Sequence, residues 1–89
     1  MPDREVVIIN RLGLHARAAA KLVNLAAQFH CEIQLQRGER LANAKNIMGV
    51  MMLAAAKGAV LHLSAEGLDA EQALDEITAL IQRRFDEPE

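Results

Sequence analysis

The sequence predicts an α+β protein with a four-stranded, mainly antiparallel sheet and three helices on one face of that sheet. Two kinds of segment support this fold class. Some are β-branched or alternate apolar and polar residues, as strands do, whereas others repeat apolar residues at helical spacing. They follow one another in the order β-α-β-β-α-β-α without a linker or a repeat. Such an order folds most simply as helices on one face of a single sheet, so we expect residues 1–89 to form one domain.

The first strand and the first helix follow from a β-branched run and an alanine-rich segment. Val6-Val7-Ile8-Ile9 predicts a strand at about residues 4–9, and a loop with Gly13 as its pivot follows. Residues 16–29 predict a helix because alanine strongly favours helices. The side of this helix that we expect to be buried is formed by Leu22, Leu25, Ala26 and Phe29.

The middle of the chain predicts a hairpin and a short helix. Residues 31–36 alternate apolar and polar side chains, so we expect a strand with one solvated face. A turn at residues 37–39 leads into a returning strand at residues 40–43. Residues 47–55 predict a short apolar helix, which Lys57-Gly58 is expected to end because glycine often terminates helices.

The last third of the chain predicts a fourth strand at residues 59–65 and a helix at residues 70–84. Asp69 is expected to cap this helix at its start, and Arg83 and Arg84 at its end suit the helix dipole. The predicted buried side of the helix is formed by Ala73, Leu74, Ile77, Leu80, Ile81 and Phe85.

The composition narrows the possible functions. A net charge of −2 and only two aromatic residues disfavour nucleic-acid binding, which needs a basic surface and stacking platforms. Cys31 is the only cysteine, so no internal disulfide is possible, and we expect a reducing cytosol, no metal and no cofactor. No apolar run is long enough to span a membrane. Eight of the twelve acids lie at Glu66 or later, so the first half can present a positive surface to an anion or an acidic partner.

The start of the first helix carries the clearest sign of chemistry. The first N–H groups of a helix have no partner inside it and attract anions. The sequence places His15 at the cap position and Arg17 beside it, with no acid from Ala18 to Cys31. The helix N-terminus and Arg17 both disfavour the imidazolium, and a neutral imidazole is a nucleophile. We interpret this segment as a site where His15 accepts a phosphoryl group; the alternative is an exposed loop histidine without a chemical role.

The segment Gly13-Leu14-His15-Ala16-Arg17-Ala18-Ala19-Ala20 resembles the active-site signature of HPr, the histidine phosphocarrier of the bacterial phosphoenolpyruvate-dependent phosphotransferase system. The element order, the chain length and the segment Lys45-Asn46-Ile47-Met48-Gly49 agree with this family. The resemblance implies an open-faced β-sandwich of four antiparallel strands covered by three helices. It also implies a carrier without turnover of its own, which receives a phosphoryl group from enzyme I on Nδ1 of His15 and passes it to a IIA protein. Arg17 and the backbone amides of Ala16 and Arg17 would assist.

Two positions depart from the usual pattern of the family. Ala18 stands where proline usually follows the arginine, and we expect the helix to survive because alanine is a strong helix former. Asn46 stands where many HPr proteins carry a regulatory serine; asparagine can cap the second helix but cannot accept that phosphorylation. With the acidic tail, Asn46 makes the chain resemble the nitrogen-related branch, NPr, more than the sugar-branch carrier.

A docking surface for protein partners is predicted around the second helix, which lies beside the active-site histidine in the family. This short helix cannot bury all its apolar residues, and flexible methionine suits several partners in turn. Core packing is the alternative for Met48 and Met51, and a solvated face is the alternative for Lys21 and Asn24. The predicted docking residues are Lys21, Asn24, Lys45, Asn46, Ile47, Met48 and Met51. We expect a monomer, because a carrier must present one face to successive partners.

Two other functions remain open at this point. A small ligand-binding module of related β-α-β layout would bind a metabolite through its loops and would not need His15. A protein-interaction module would keep the fold and its partners without phosphoryl transfer. For the remaining polar candidates we expect no chemical role: His30 and His62 have no ligand-spaced neighbours, and Cys31 alternates with buried positions as a small apolar residue.

Overall fold

A computed structural model describes all of residues 1–89, and its elements follow the predicted order. The strands are β1 (Asp3–Val7), β2 (Glu32–Arg37), β3 (Arg40–Asn43) and β4 (Val60–Glu66), and the helices are α1 (Ala16–Ala26), α2 (Ile47–Met52) and α3 (Ala70–Gln82). A short left-handed turn with hydrogen bonds of 3₁₀ spacing, Arg84–Asp86, follows α3. The four strands form one sheet in the order β1-β4-β2-β3, and every neighbouring pair is antiparallel. The predicted fold class, an open-faced sheet with three helices, is confirmed.

The sheet is apolar on the face that carries the helices and polar on the other face. In β2, Ile33 and Leu35 are buried, whereas Glu32, Gln34 and Gln36 between them are exposed. This alternation follows from the two-residue period of a strand. The helices cover the apolar face, and α3 contacts β1, β4 and β2. As a result one continuous core of 26 residues joins the sheet to the helices.

Three predicted helix ends are wrong, and each time the chain leaves the helix early. After Ala26 the backbone bonds tighten to three-residue spacing, so α1 ends there although Phe29 is still buried. α2 ends at Met52, six residues before Gly58, because Ala54 takes a left-handed conformation with φ at +52°. α3 ends at Gln82 because the three residues of the following 3₁₀ turn also have positive φ. The predicted strand at residues 40–43 is confirmed, and the other three predicted strands differ from the observed ones by one or two residues at their ends.

The predicted cap at the start of α3 is also corrected. Asp69 occupies the cap position, but its side chain makes no capping hydrogen bond. Its carboxylate accepts hydrogen bonds from the backbone N–H groups of His30 (2.8 Å) and Cys31 (2.9 Å). These bonds lower the pKa of Asp69, the one from His30 contributing most. Asp69 therefore ties the start of α3 to the chain entering β2, rather than satisfying the amides of its own helix.

Candidate functional site

The loop between β1 and α1 is held in place by a glycine that no other residue can replace without strain. Gly13 has φ at +67°, a region that L side chains rarely adopt. A Cβ atom at this position would lie 2.6 Å from the carbonyl oxygen of Ala55. The next residue, Leu14, donates its backbone N–H to that same oxygen at 2.8 Å. Gly13 thus lets the loop approach the segment after α2 closely. The hydrogen bond from Leu14 to Ala55 then holds the chain just before His15.

His15 lies at the N-cap of α1, as the sequence predicted. Its backbone is extended and its carbonyl accepts the first helical bond, from Ala19 N–H at 2.8 Å. Its side chain caps nothing, and the first turn of α1 contains no acid. The backbone N–H groups of residues 16–18 consequently donate to no protein acceptor. Ala16 and Arg17 are exposed, whereas Ala18 is completely buried. Arg17 forms no hydrogen bond or ion pair, so an unpaired cation lies at the start of the helix beside amides that have no protein acceptor.

A carboxylate from the far end of the chain reaches this histidine, which the sequence reasoning missed. Nε2 of His15 contacts Oε2 of Glu87, 72 residues away in the sequence. The other oxygen of Glu87 accepts a hydrogen bond of 2.9 Å from Nδ2 of Asn10, a fully buried residue. The same Nδ2 donates to the carbonyl oxygen of Gly13 at 2.9 Å. Asn10 therefore joins the glycine loop and the C-terminal segment at the histidine.

The C-terminal segment is held by several further contacts. Phe85 is completely buried in the core, and its carbonyl oxygen accepts a hydrogen bond of 2.7 Å from Nζ of Lys21 on α1. Arg11 donates its backbone N–H to the main-chain oxygen of Glu89 and pairs with the Glu89 carboxylate at 3.1 Å. With the loop and the start of α1, this segment encloses an open cleft of about 620 Å³. The cleft is lined by Arg11, Leu12, His15, Ala16, Arg17, Glu87, Pro88 and Glu89.

The environment of Glu87 keeps its carboxyl group ionised. Burial acts to raise the pKa of Glu87, but hydrogen bonds from Asn10 and His15 outweigh it and bring the pKa below its usual value. The sequence predicted only groups that disfavour a charged imidazole at this position. Glu87, in contrast, places a hydrogen-bond acceptor against the ring nitrogen that it contacts.

The predicted docking residues divide into exposed residues and residues with an internal contact. Lys21 is bonded to Phe85 as described, and Nζ of Lys45 donates to the carbonyl oxygen of Phe29 at 2.6 Å, where the chain leaves α1. Asn46 caps α2, because its side chain accepts a hydrogen bond from Gly49 N–H at 3.2 Å. The others are exposed: Asn24, Ile47, Met48 and Met51, with 64% exposure for Met48 and 38% for Met51. Their docking role stays a prediction.

The remaining polar candidates lie away from this cleft. His30 and His62 are exposed, whereas Cys31 is buried, and burial together with the nearby Asp69 raises the pKa of its thiol. The structure brings no three His, Cys, Asp or Glu side chains into a group that could hold a metal ion. None of its helices combines the length and the apolar character needed to cross a membrane.

Comparison with known proteins gives consistent matches along the chain. A family model described as "PTS HPr component phosphorylation site" matches residues 2–83. The phosphocarrier protein HPr of Pseudomonas aeruginosa is 51% identical over 90 residues and is covered completely, as is this chain. The phosphocarrier protein NPr of Shewanella violacea is 47% identical over 85 residues, covering 96% of this chain and 93% of that protein.

Solved structures agree with these sequence relatives. The crystal structure of HPr-C-His from Thermoanaerobacter tengcongensis matches with a TM-score of 0.96 and 40% identity, over the full length of both chains. HPr of Bacillus anthracis matches with a TM-score of 0.85 and 38% identity, over 88% of this chain and 93% of that one. These matches define a phosphocarrier, which carries a phosphoryl group and is not an enzyme. The chain belongs to the HPr family of the phosphotransferase system.

Proposed function

We propose that this carrier accepts a phosphoryl group on His15 from an enzyme I-type donor charged by phosphoenolpyruvate and passes it to a IIA-type protein. One observation carries the choice of His15: it begins a helix whose first amides have no acceptor, next to an arginine without a partner. A dianionic phosphoryl group is a suitable acceptor for these donors. His30 and His62, by contrast, have no such surroundings.

The proposed roles of the neighbouring residues follow from the charge that develops during transfer. Phosphoryl transfer spreads negative charge over three equatorial oxygens, and donors fixed in advance stabilise that charge. The backbone N–H groups of Ala16 and Arg17 provide fixed donors, and the guanidinium of Arg17 provides a mobile cation. Because Arg17 is not bound to a carboxylate, it can turn toward the phosphoryl group without breaking an ion pair.

The docking surface that we propose is centred on the exposed part of α2. Met48 and Met51 are exposed on this helix, as is Met52, and methionine has the flexibility needed for successive partners. Ile47, Asn46 and Asn24 extend this surface. Lys21 and Lys45 donate from their ammonium groups to backbone carbonyls, so their contribution to an acidic partner would be a long-range field rather than a direct ion pair.

We assign the carrier to the nitrogen-related regulatory branch, acting as a monomer in the cytoplasm. Asn46 supports the branch because it retains the capping bond to Gly49 and removes the hydroxyl that serine-based control requires. The free Cys31 fits a reducing compartment. The sugar branch is the alternative, since relatives named HPr and a relative named NPr are similarly close to this chain.

The first experiment incubates the protein with phosphoenolpyruvate and the enzyme I paralogues of the host, one at a time. Wild type should acquire an acid-labile label that His15→Ala loses and that the control His30→Ala keeps. Arg17→Ala should slow labelling about 10²-fold, as expected for one charge-stabilising donor. The paralogue that reacts faster identifies the branch. If His15→Ala is labelled like wild type, the proposed acceptor is wrong, and absence of label from every donor would favour an interaction module.

A further inference from the structure

We propose that Glu87 is a positioning residue for His15: oriented by Asn10, it holds the neutral imidazole with its proton on Nε2 and leaves Nδ1 free as the nucleophile. This inference rests on the proposed function, because it assigns a role to a residue that acts through the phosphoryl acceptor. It starts from two contacts of one carboxylate, one with Nε2 of His15 and one with Nδ2 of Asn10.

The position of the proton follows from what each group can donate. A neutral imidazole has one nitrogen that donates and one that accepts, whereas an ionised carboxylate can only accept. The lowered pKa of Glu87 means that it is ionised at neutral pH. Nε2 must therefore donate to Oε2 of Glu87, which leaves the lone pair on Nδ1.

Asn10 determines how the carboxylate of Glu87 is oriented toward His15. Its amide is completely buried and serves two acceptors, the carbonyl oxygen of Gly13 and Oε1 of Glu87. Only the NH₂ end of the amide can donate to both of them. Asn10 thus presents a donor to whatever group residue 87 places there, and its own Oδ1 has no partner.

Besides orienting the imidazole, Glu87 would stabilise the charge that forms on the ring during phosphoryl transfer. The lone pair on Nδ1 forms a bond to phosphorus while the bond from phosphorus to the leaving atom of the phosphorylated donor protein breaks, and that electron pair stays with the donor. No proton moves, and Nε2 keeps its hydrogen. The ring gains a formal positive charge that balances one charge of the phosphoryl dianion. A carboxylate at Nε2 stabilises that positive charge, in the way an aspartate orients and stabilises the histidine of a hydrolase triad.

The C-terminal segment holds Glu87 in place despite a cost in backbone strain. Arg84, Phe85 and Asp86 all have φ between +55° and +65°, where L residues are unfavourable. Burial of the Phe85 ring and the hydrogen bond from Lys21 oppose this strain. These contacts maintain the strained turn, and the turn directs residue 87 back toward the start of α1, which a continuing helix would not do.

The test uses Glu87→Gln, which has nearly the same shape but reverses the hydrogen bond. Because Asn10 donates, the side-chain carbonyl of the introduced glutamine must face Asn10, and its NH₂ group must face His15. Nε2 then becomes an acceptor, and the proton moves to Nδ1. ¹⁵N NMR of the histidine ring, at a pH where the imidazole is neutral, reads the tautomer directly and does not depend on phosphoryl transfer. Glu87→Ala removes both contacts, and Asp86→Asn is the matched control because it neutralises the neighbouring tail acid, which does not contact His15.

We expect the Nε2–H tautomer in wild type and Asp86→Asn, a mixture in Glu87→Ala, and the Nδ1–H tautomer in Glu87→Gln. Phosphorylation by the donor should slow in the same order, by about tenfold or more for Glu87→Gln, as for loss of one charge-assisted bond. An unchanged tautomer in Glu87→Gln, or phosphorylation as fast as in wild type, would overturn the inference. If wild type itself accepts no label, the proposed function fails, whatever the NMR spectra show.

Discussion

Gly13→Ala is the substitution whose effect can be worked out most directly from the geometry of the loop. Two costs are expected. The first arises because φ at +67° is unfavourable for alanine, at about 1–2 kcal/mol. The second arises because the new Cβ would lie 2.6 Å from the carbonyl oxygen and 2.9 Å from the Cα of the adjacent segment at Ala55 and Ala56. Backbone atoms cannot rotate away, so this overpacking adds about 1–3 kcal/mol. The total loss in the free energy of unfolding is about 2–5 kcal/mol.

Gly38→Ala separates the two costs. Gly38, in the β2–β3 turn, has a similar φ of +59°, but no atom lies within 4 Å of the position its Cβ would take. This variant should therefore lose only the conformational part, about 1–2 kcal/mol. The difference between the two variants measures the close contact between the loop before α1 and the segment after α2.

Urea unfolding of the wild type and both variants provides the measurement, with the slope m compared to check that unfolding stays two-state. For a chain of this size, each kcal/mol lost should also lower Tm by about 4–8 °C. Equal losses in Gly13→Ala and Gly38→Ala would refute the reasoning, because they would mean that Ala55 does not lie against Gly13. Under conditions where it stays folded, Gly13→Ala should also accept phosphoryl groups more slowly, since the loop carries His15, the proposed acceptor.

Two further predictions concern other parts of the fold. Ala54→Gly should raise the free energy of unfolding by up to about 1 kcal/mol because it relieves a left-handed φ of +52°, whereas Ala56→Gly, which has no such strain to relieve, should lower it in the same urea assay. Asp69→Asn should destabilise the protein at neutral pH, because the folded state lowers the pKa of Asp69 below its unfolded value. The stabilisation is complete above the unfolded pKa and is lost as pH falls through the folded pKa, so wild type and Asp69→Asn should converge in acid. Glu39→Gln, in an exposed turn, is the control and should match wild type in the free energy of unfolding throughout. A difference in the free energy of unfolding between wild type and Asp69→Asn that persists in acid would contradict the role given to the Asp69 carboxylate.

The sequence predicted the elements well because local patterns determine them. The two-residue alternation of β2 and the helical spacing in α1 and α3 depend only on which side of each element faces the core. The helix ends were less predictable because they do not depend on local patterns alone. Ala54, Arg84 and Phe85 favour ordinary helical or extended conformations in isolation, and packing of the whole chain holds them at positive φ.

The candidate site was predictable only in the part that is contiguous in sequence. His15, Arg17 and the acid-free start of α1 lie within a few residues of one another, so their combination could be recognised. Asn10 reads as an ordinary loop residue, and Glu87 reads as one of several acids in a charged tail. Only the turn after α3, with Phe85 buried, brings the two together at the imidazole.

The carboxylate of Glu87 comes from the C-terminal segment and not from the first turn of α1. This origin explains why an acid can contact His15 without occupying the free amides of the helix. An aspartate or glutamate in the first turn of α1 would accept hydrogen bonds from the free amides and pair with Arg17, occupying the donors that we propose for the phosphoryl group. The carboxylate of Glu87, from the C-terminal segment, contacts the ring at Nε2 and leaves Nδ1 free of it. In the proposed transfer, two anions then act on one imidazole at the same time, the phosphoryl group at Nδ1 and Glu87 at Nε2. Two features therefore form one arrangement of charge around His15. They are the acid-free first turn of α1 and the acidic C-terminal segment.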